Sequence, residues 1–179
     1  NEEEYILMGM SAYGDKRVCE DAIYDDFIGF RTATFKKNFH KGCKNWRSEI
    51  KNNFHIAAAT QSIYETNFRD ILQRASNIVK SKNLVLMGGC ALNCVANSRI
   101  AKESGFKNMW VMPNPGDAGS AIGAAAALER KFLDWRHPYL GTNINRVLDI
   151  EGVVKELIKG NVVAVANGRA EFGPRALGN

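Results

Sequence analysis

The clearest periodic pattern runs over 53–80, where Tyr64, Phe68, Ile71, Leu72, Ala75, Ile78 and Val79 recur at three- and four-residue spacing. That spacing gathers apolar side chains on one helix face, while Gln61, Glu65, Arg69 and Arg74 take other positions. The helix is therefore predicted to pack one face against a sheet, with Asn52 or Asn53 placed to cap it. Beyond it the pattern changes. Residues 83–87 are apolar without alternation, as in a buried parallel strand, and Gly88–Gly89 ends the run. A helix over 91–103 follows and stops at Gly105. The next strand is predicted over 109–112, then a rigid turn at Pro113, Pro115 and Gly116, then an alanine-rich helix over 117–134.

The flanks are less regular. Residues 5–14 begin apolar and end at the Gly14–Asp15 turn. Residues 23–35 are β-prone and predict a strand or a hairpin. Residues 36–53 have no clean period and read as a loop-rich insertion. His137 to Asn145 form a Pro/Gly/Asn linker, the best domain boundary. A short helix over 150–159, a strand over 161–166 and a glycine-rich segment over 168–179 complete the pattern. Three divisions follow: 1–136, a linker over 137–149, and the start of another domain at 150–179.

Composition narrows the class. The chain has 179 residues, 45% hydrophobic and 24% charged, which suits one α/β domain with a core and part of a second. No apolar run reaches the roughly 20 residues of a membrane helix, and no signal segment opens the chain. Four cysteines without a CxxC pair point to a reducing, cytoplasmic compartment. Cys90 and Cys94 read as small core residues, and His40 with Cys43 lacks a second pair to complete a metal site. The net charge of +5 is concentrated in Lys36, Lys37, Lys41, Lys44, Arg47 and Lys51, interleaved with Phe35, Phe39 and Trp46. A solvated surface segment explains this better than a nucleic-acid face does.

The chemistry sits at the strand–turn–helix junctions. A glycine turn there lets backbone approach an anion, and the helix start offers free N–H groups and a positive dipole end. Gly88–Gly89 has this form, and so does Pro115–Gly116–Asp117–Ala118–Gly119. Neither GxxxxGK nor GxGxxG is present. Asn93 reads either as a helix cap or as an amide that donates to and accepts from a ribose or base. Asp117 reads as a cap or as a ligand to a divalent metal beside phosphates. Gly119 and Gly123 leave a smooth face suited to close packing. Arg169 and Arg175, flanked by glycines, suit a carboxylate or phosphate, with Glu171 as an alternative partner.

Taken in order, Met8-Gly9-Met10-Ser11-Ala12-Tyr13-Gly14, Gly88-Gly89-Cys90-Ala91-Leu92-Asn93-Cys94, Pro115-Gly116-Asp117-Ala118-Gly119, His137-Pro138-Tyr139-Leu140-Gly141 and Gly168-Arg169 through Gly178-Asn179 resemble the nodulation-type and antibiotic-tailoring O-carbamoyltransferases. The resemblance spans nearly the whole chain, and GRAEFGPRALGN is its most specific part. Ala12 stands where that family usually has proline, and Cys90 where it often has valine.

The resemblance implies a partial actin-like ATPase (ribonuclease-H-like) lobe over 1–136 and the start of a carbamoyltransferase domain over 150–179. It implies that carbamoyl phosphate and ATP form carbamoyl-adenylate, whose carbamoyl group passes to a hydroxyl of a sugar or similar acceptor. On that basis Gly88, Gly89, Asn93, Gly116 and Gly119 hold nucleotide, and Asp117 holds a divalent metal, be it iron, magnesium or manganese. Arg169 and Arg175 handle carbamoyl phosphate. The family's His-x-x-x-His pair is absent, and the sequence looks like an internal piece that requires the remaining N- and C-terminal parts for turnover. Two other readings compete: a lobe of a sugar kinase or tRNA-threonylcarbamoyl-transfer protein, and a non-catalytic module binding nucleotide or nucleic acid. Those relatives are not expected to carry GRAEFGPRALGN, which favours the first reading.

Overall fold

The longest element of the computed structural model is the predicted helix. The structure describes residues 4–30, 32–38, 42–43 and 46–176. They form two compact units, one of Asn1–Leu86 with Cys90–Trp110 and the other of Met87–Gly89 with Val111–Asn179.

In the first unit, α1 (Glu4–Met10) leads through two 3-10 turns to α2 (Glu20–Asp26), and α3 spans Asn53–Ile78. Asn52 caps α3 by accepting the Phe54 N–H. Ala57, Ala58 and Ala59 are buried on α3 and let the preceding turns approach closely. The closest point is Gly14, where a Cβ would lie 1.9 Å from the Phe54 carbonyl oxygen. One core cluster joins Cys19, Ile23, Ala59 and Ile63, with Phe27, Ile28 and Trp46 against it. The stretch predicted as a strand from residue 23 therefore begins as helix: Cys19 and Ile23, one turn apart, bury on α3, and that packing overrides β propensity. A hairpin-like turn follows, with Ile28 bridging Phe35 antiparallel and Gly29 N–H donating to Thr34 O at 2.8 Å.

Strand β1 (Asn83–Leu86), α4 (Cys94–Glu103) and β2 (Asn108–Val111) complete the unit. The Lys107 and Asn108 N–H groups both donate to Lys82 O, so the two strands start side by side and run parallel. A second cluster of Leu72, Ala96 and Ile100, with Tyr64, Phe68, Leu84 and Phe106, sits between α3, α4 and β1. Burying each large member contributes about 1.5–3 kcal/mol. The apolar run at 83–87 predicts a strand buried on both faces. Only one is covered: Val85 is 58% and Trp110 46% exposed. The apolar stripe of α3 is likewise shorter than predicted, with Ile71, Ile78 and Val79 exposed.

In the second unit, a 3-10 turn over Asp117–Gly119 precedes α5 (Ser120–Glu129). Arg130 adopts a left-handed φ of 50° and ends α5 short of the predicted residue 134. The expected linker over 137–149 holds β3 (Tyr139–Ile144), which pairs antiparallel with β4 (Gly168–Glu171). Between them α6 spans Ile150–Ile158, capped by Asp149. The strand predicted over 161–166 lies instead at β4. There Gly141 allows close contact: a Cβ on it would meet the Ala170 Cβ at 2.6 Å. Among the described residues no helix is long and apolar enough to cross a membrane.

Candidate functional site

The two glycine turns are joined by a hydrogen bond. The Gly88 N–H donates to the Pro115 carbonyl at 2.7 Å, so within the second unit the Gly88–Gly89 turn lies beside the Pro115–Gly116 turn. Gly88 has a φ of 90°, which favours glycine. A Cβ added to Gly88, Gly89 or Gly116 would meet nothing within 4 Å. These three glycines thus line backbone that a ligand can approach, although the Gly88 N–H is already engaged. Gly119 differs. It is buried, and a Cβ there would lie 1.9 Å from Asn114 O. Its role is to close the turn. Gly123 faces open space and Gly119 packs on the backbone of its own turn, so the pair forms no helix–sheet contact face.

Asp117 is exposed, and its carboxylate forms no hydrogen bond or ion pair among the described residues. Its side chain does not cap α5; its backbone carbonyl accepts from the Ser120 hydroxyl and the Ser120 N–H. A lone free carboxylate beside a glycine turn fits a hard divalent cation that takes its other ligands from phosphates and water. No three His, Cys, Asp or Glu side chains among the described residues form a metal cluster. His40, Lys41, Lys44 and Phe39 lie outside the described residues.

The GRAEFGPRALGN segment also reaches these turns. A Cβ on Gly173 would lie 2.8 Å from Pro113 O, and Phe172 N–H donates to Pro138 O at 2.7 Å. Arg169 donates through Nε to Gly141 O at 3.0 Å and through Nη2 to Leu140 O at 3.4 Å. It pairs with backbone carbonyls of β3 and forms no ion pair with Glu171. Arg175 lies exposed in the turn after Gly173. Leu177 to Asn179 lie outside the described residues.

Asn93, in the first unit, is the N-cap of α4, accepting the Ala96 N–H at 3.0 Å. It also pairs with Gln61, one of the polar positions of the α3 pattern. Asn93 Nδ2 donates to Gln61 Oε1 at 2.9 Å, and Gln61 Nε2 donates to Asn93 Oδ1 at 3.1 Å. Gln61 Nε2 further donates to Glu65 at 2.8 Å, and Glu65 is held by Arg99. Gln61 is 32 residues from Asn93, so no local signal in the sequence announces the pair.

The same first unit holds a groove of about 840 Å³ lined by Gly14 to Arg17, Gln61, Glu65, Arg69, Arg99 and Glu103. Its charges are mutually paired. Arg17 binds Asp15, Lys16 binds Glu20, Arg99 binds Glu65, and Arg69 binds Glu103. The Arg17 guanidinium holds the Asp15 carboxyl down to about 2. With cations and carboxylates matched, this groove has little pull on a polyanion. None of the glycine-turn residues lines it.

Of two further expectations, that for the basic segment holds and that for the cysteines changes. Lys36 donates to the Tyr24 and Asp25 carbonyls, and Asp26 accepts from Trp46 Nε1 and Arg47. Lys36, Lys37, Arg47 and Lys51 stay exposed, as expected of a surface segment, and Lys36, Trp46 and Arg47 anchor that segment on α2. Cys90 and Cys94, expected in the core, are exposed. Tyr64 hydrogen-bonds Cys90 O at 3.2 Å, and burial pushes its hydroxyl up to about 12.

Comparison with known proteins adds a second line of observation. A family model described as carbamoyltransferase N-terminus matches residues 1–126. An uncharacterized protein of Synechocystis sp. is 34% identical, the match covering 99% of this chain and 37% of that protein. Nodulation protein NolNO of Sinorhizobium fredii is 30% identical over 99% of this chain and 31% of its own length. The 3'-hydroxymethylcephem-O-carbamoyltransferase of Streptomyces clavuligerus is 35% identical over 69% of this chain and 27% of its own. The chain spans about a third of the length of these curated relatives.

Proposed function

The chain belongs to the carbamoyltransferase family, and on that premise we propose that its glycine turns form one wall of a nucleotide cleft in an actin-like ATPase lobe. The cleft serves O-carbamoyl transfer. Carbamoyl phosphate and ATP give carbamoyl-adenylate, and the carbamoyl group passes to a hydroxyl of a sugar or natural product. The observation that carries this reading is the joined pair of turns. Gly88 and Pro115 are linked by a hydrogen bond, and Gly88, Gly89 and Gly116 face open space. Backbone N–H groups and a helix start at such a turn stabilise phosphate charge.

Asp117 is the one carboxylate in that turn, and it would hold a divalent cation carried with the nucleotide; such a cation neutralises phosphate charge when bound. Arg169 and Arg175 are proposed to handle carbamoyl phosphate. Arg169 keeps its Nη1 edge available while Nε and Nη2 hold β3. A planar guanidinium fixed in this way is suited to a phosphate or carboxylate.

The test is a map of MgATP binding by NMR on the labelled chain. Shifts are expected at the amides of Gly89, Gly116, Asp117 and Ala118. Shifts confined to Arg17, Arg69, Arg99 and Glu103 would put the ligand in the charged groove and overturn the reading.

A further inference from the structure

The Tyr13–Gly14–Asp15 turn closes the Met8–Gly14 motif, to which the nucleotide reading gives no role. Its seat is the first turn of α3. The Tyr13 ring packs on Phe54 with centroids 5.8 Å apart, and Gly14 lies against the Phe54 carbonyl and the His55 nitrogen with no room for a Cβ. The third contact is a hydrogen bond: the Asp15 N–H donates to His55 Nδ1 at 2.9 Å. Of the three, only this one involves a group that titrates near neutral pH. A backbone N–H only donates, so Nδ1 is the bare nitrogen of a neutral ring whose proton sits on Nε2. Protonation fills Nδ1, turns the acceptor into a donor and sets two N–H groups head to head. The bond and the imidazolium are therefore mutually exclusive.

The charges around the ring are already engaged or set against a cation. On the turn, Arg17 binds both oxygens of Asp15, and Lys16 is held by Ser62 and Glu20. The first turn of α3 carries no acidic side chain, Lys51 precedes it, and a helix start disfavours positive charge. Helix α2 meets α3 further along, at Ala59 and Ile63, and its Glu20 accepts from Ser62. The one charged residue of α1, Glu4, stands at the end away from the turn. We infer that His55 is an acid-sensitive latch: neutral, it holds the Gly14–Asp15 turn on α3, and protonated, it releases that turn. Gly14 to Arg17 line the groove of about 840 Å³, so acid loosens that part of its lining. The contribution of the latch is present above the range in which imidazole ordinarily protonates, about pH 6.5, and is lost as pH falls through it. Arg17 holds the Asp15 carboxyl down to about 2, so Asp15 is silent in this window. No part of the latch depends on nucleotide binding.

The test is NMR on the nitrogen-labelled chain of 179 residues, without ligand, between about pH 8 and about pH 5. Two readouts are taken: the protonation pattern of the His55 ring, and the protection of the Asp15 amide against hydrogen exchange relative to its unstructured rate at each pH. At the upper pH the ring is expected to carry its proton on Nε2 with Nδ1 bare. As the ring protonates, Asp15 protection is expected to fall about tenfold, the loss of one hydrogen bond. His55→Asn places a carboxamide oxygen where Nδ1 stands, and this oxygen accepts at every pH. That variant is expected to keep Asp15 protection within about threefold across the range, a change of about 0.65 kcal/mol. A proton on Nδ1 of the neutral ring, or equal Asp15 protection at both ends of the range in the parent chain, overturns the latch. His55→Asn that loses protection in acid as the parent does also overturns it, by assigning the response to another group. The ring pattern and the parent profile need no variant, so they decide the matter even if His55→Asn does not fold.

Discussion

Gly119→Ala should be one of the most costly single-methyl additions in the second unit. Its Cβ would lie 1.9 Å from the Asn114 carbonyl oxygen, where approaches below 3.0 Å are not tolerated, so the turn must open by about 1.1 Å. The obstructing atom belongs to backbone, and Asn114 is itself buried, so no flexible side chain can yield. Overpacking of this kind costs about 1–3 kcal/mol, and a backbone obstacle puts Gly119→Ala near the top, at about 3 kcal/mol. With a urea slope of about 2 kcal/mol per M, the unfolding midpoint falls by about 1.5 M. Gly123→Ala is the matched control. It lies in α5 facing open space, so replacing helical glycine should gain about 1 kcal/mol and raise the midpoint by about 0.5 M. Urea titration followed by circular dichroism measures both. If Gly119→Ala unfolds within about 0.3 M of the parent chain, a bound of about 0.6 kcal/mol, or if both variants shift in the same direction, the steric reasoning is wrong.

Three other outcomes follow from the first unit. Ile100→Ala empties the cluster between α3 and α4 and should cost about 2–5 kcal/mol in the same titration. Asp15 has its folded pKa lowered to about 2 from 3.8 by Arg17, so its contribution is present above about pH 4 and is lost as pH falls toward 2. Arg17→Gln should flatten the acid-unfolding slope in that window, and an unchanged slope would count against the pair. Tyr64 should be among the last tyrosines to ionise in an ultraviolet titration, near 12, and Tyr64→Phe should remove that component.

Local patterns in the sequence identify what local forces decide. The extent of α3 and its Asn52 cap, the β1–α4–β2 run, and Gly105 as the stop of α4 all follow from periodicity and capping chemistry. The beginning of α2 does not, because it is set by the burial of Cys19, just before the helix, and Ile23, on it, against α3, a long-range contact. The Val162–Val165 run looks like a strand, yet β4 forms further on, at Gly168–Glu171, where the approach of Ala170 to Gly141 permits pairing. The site divides in the same way. Glycine turns are visible as glycines before helices, and Gly88 and Gly116 do border open space. Gln61 and Glu65 are invisible as site residues, since on a helical wheel they resemble solvent-facing positions. Their meaning comes from a partner on another element.

The central claim is that the glycine turns hold nucleotide, and one measurement reaches it most directly. Gly89→Ala and Gly116→Ala add methyl groups that touch nothing in the chain, at backbone angles alanine accepts. They should leave the unfolding midpoint unchanged while filling the space a nucleotide occupies. Calorimetric titration with MgATP should show saturable binding to the parent chain, weakened at least about tenfold (~1.4 kcal/mol) in the double variant. Equal affinity in the two chains, or no MgATP binding by the parent, would contradict the account.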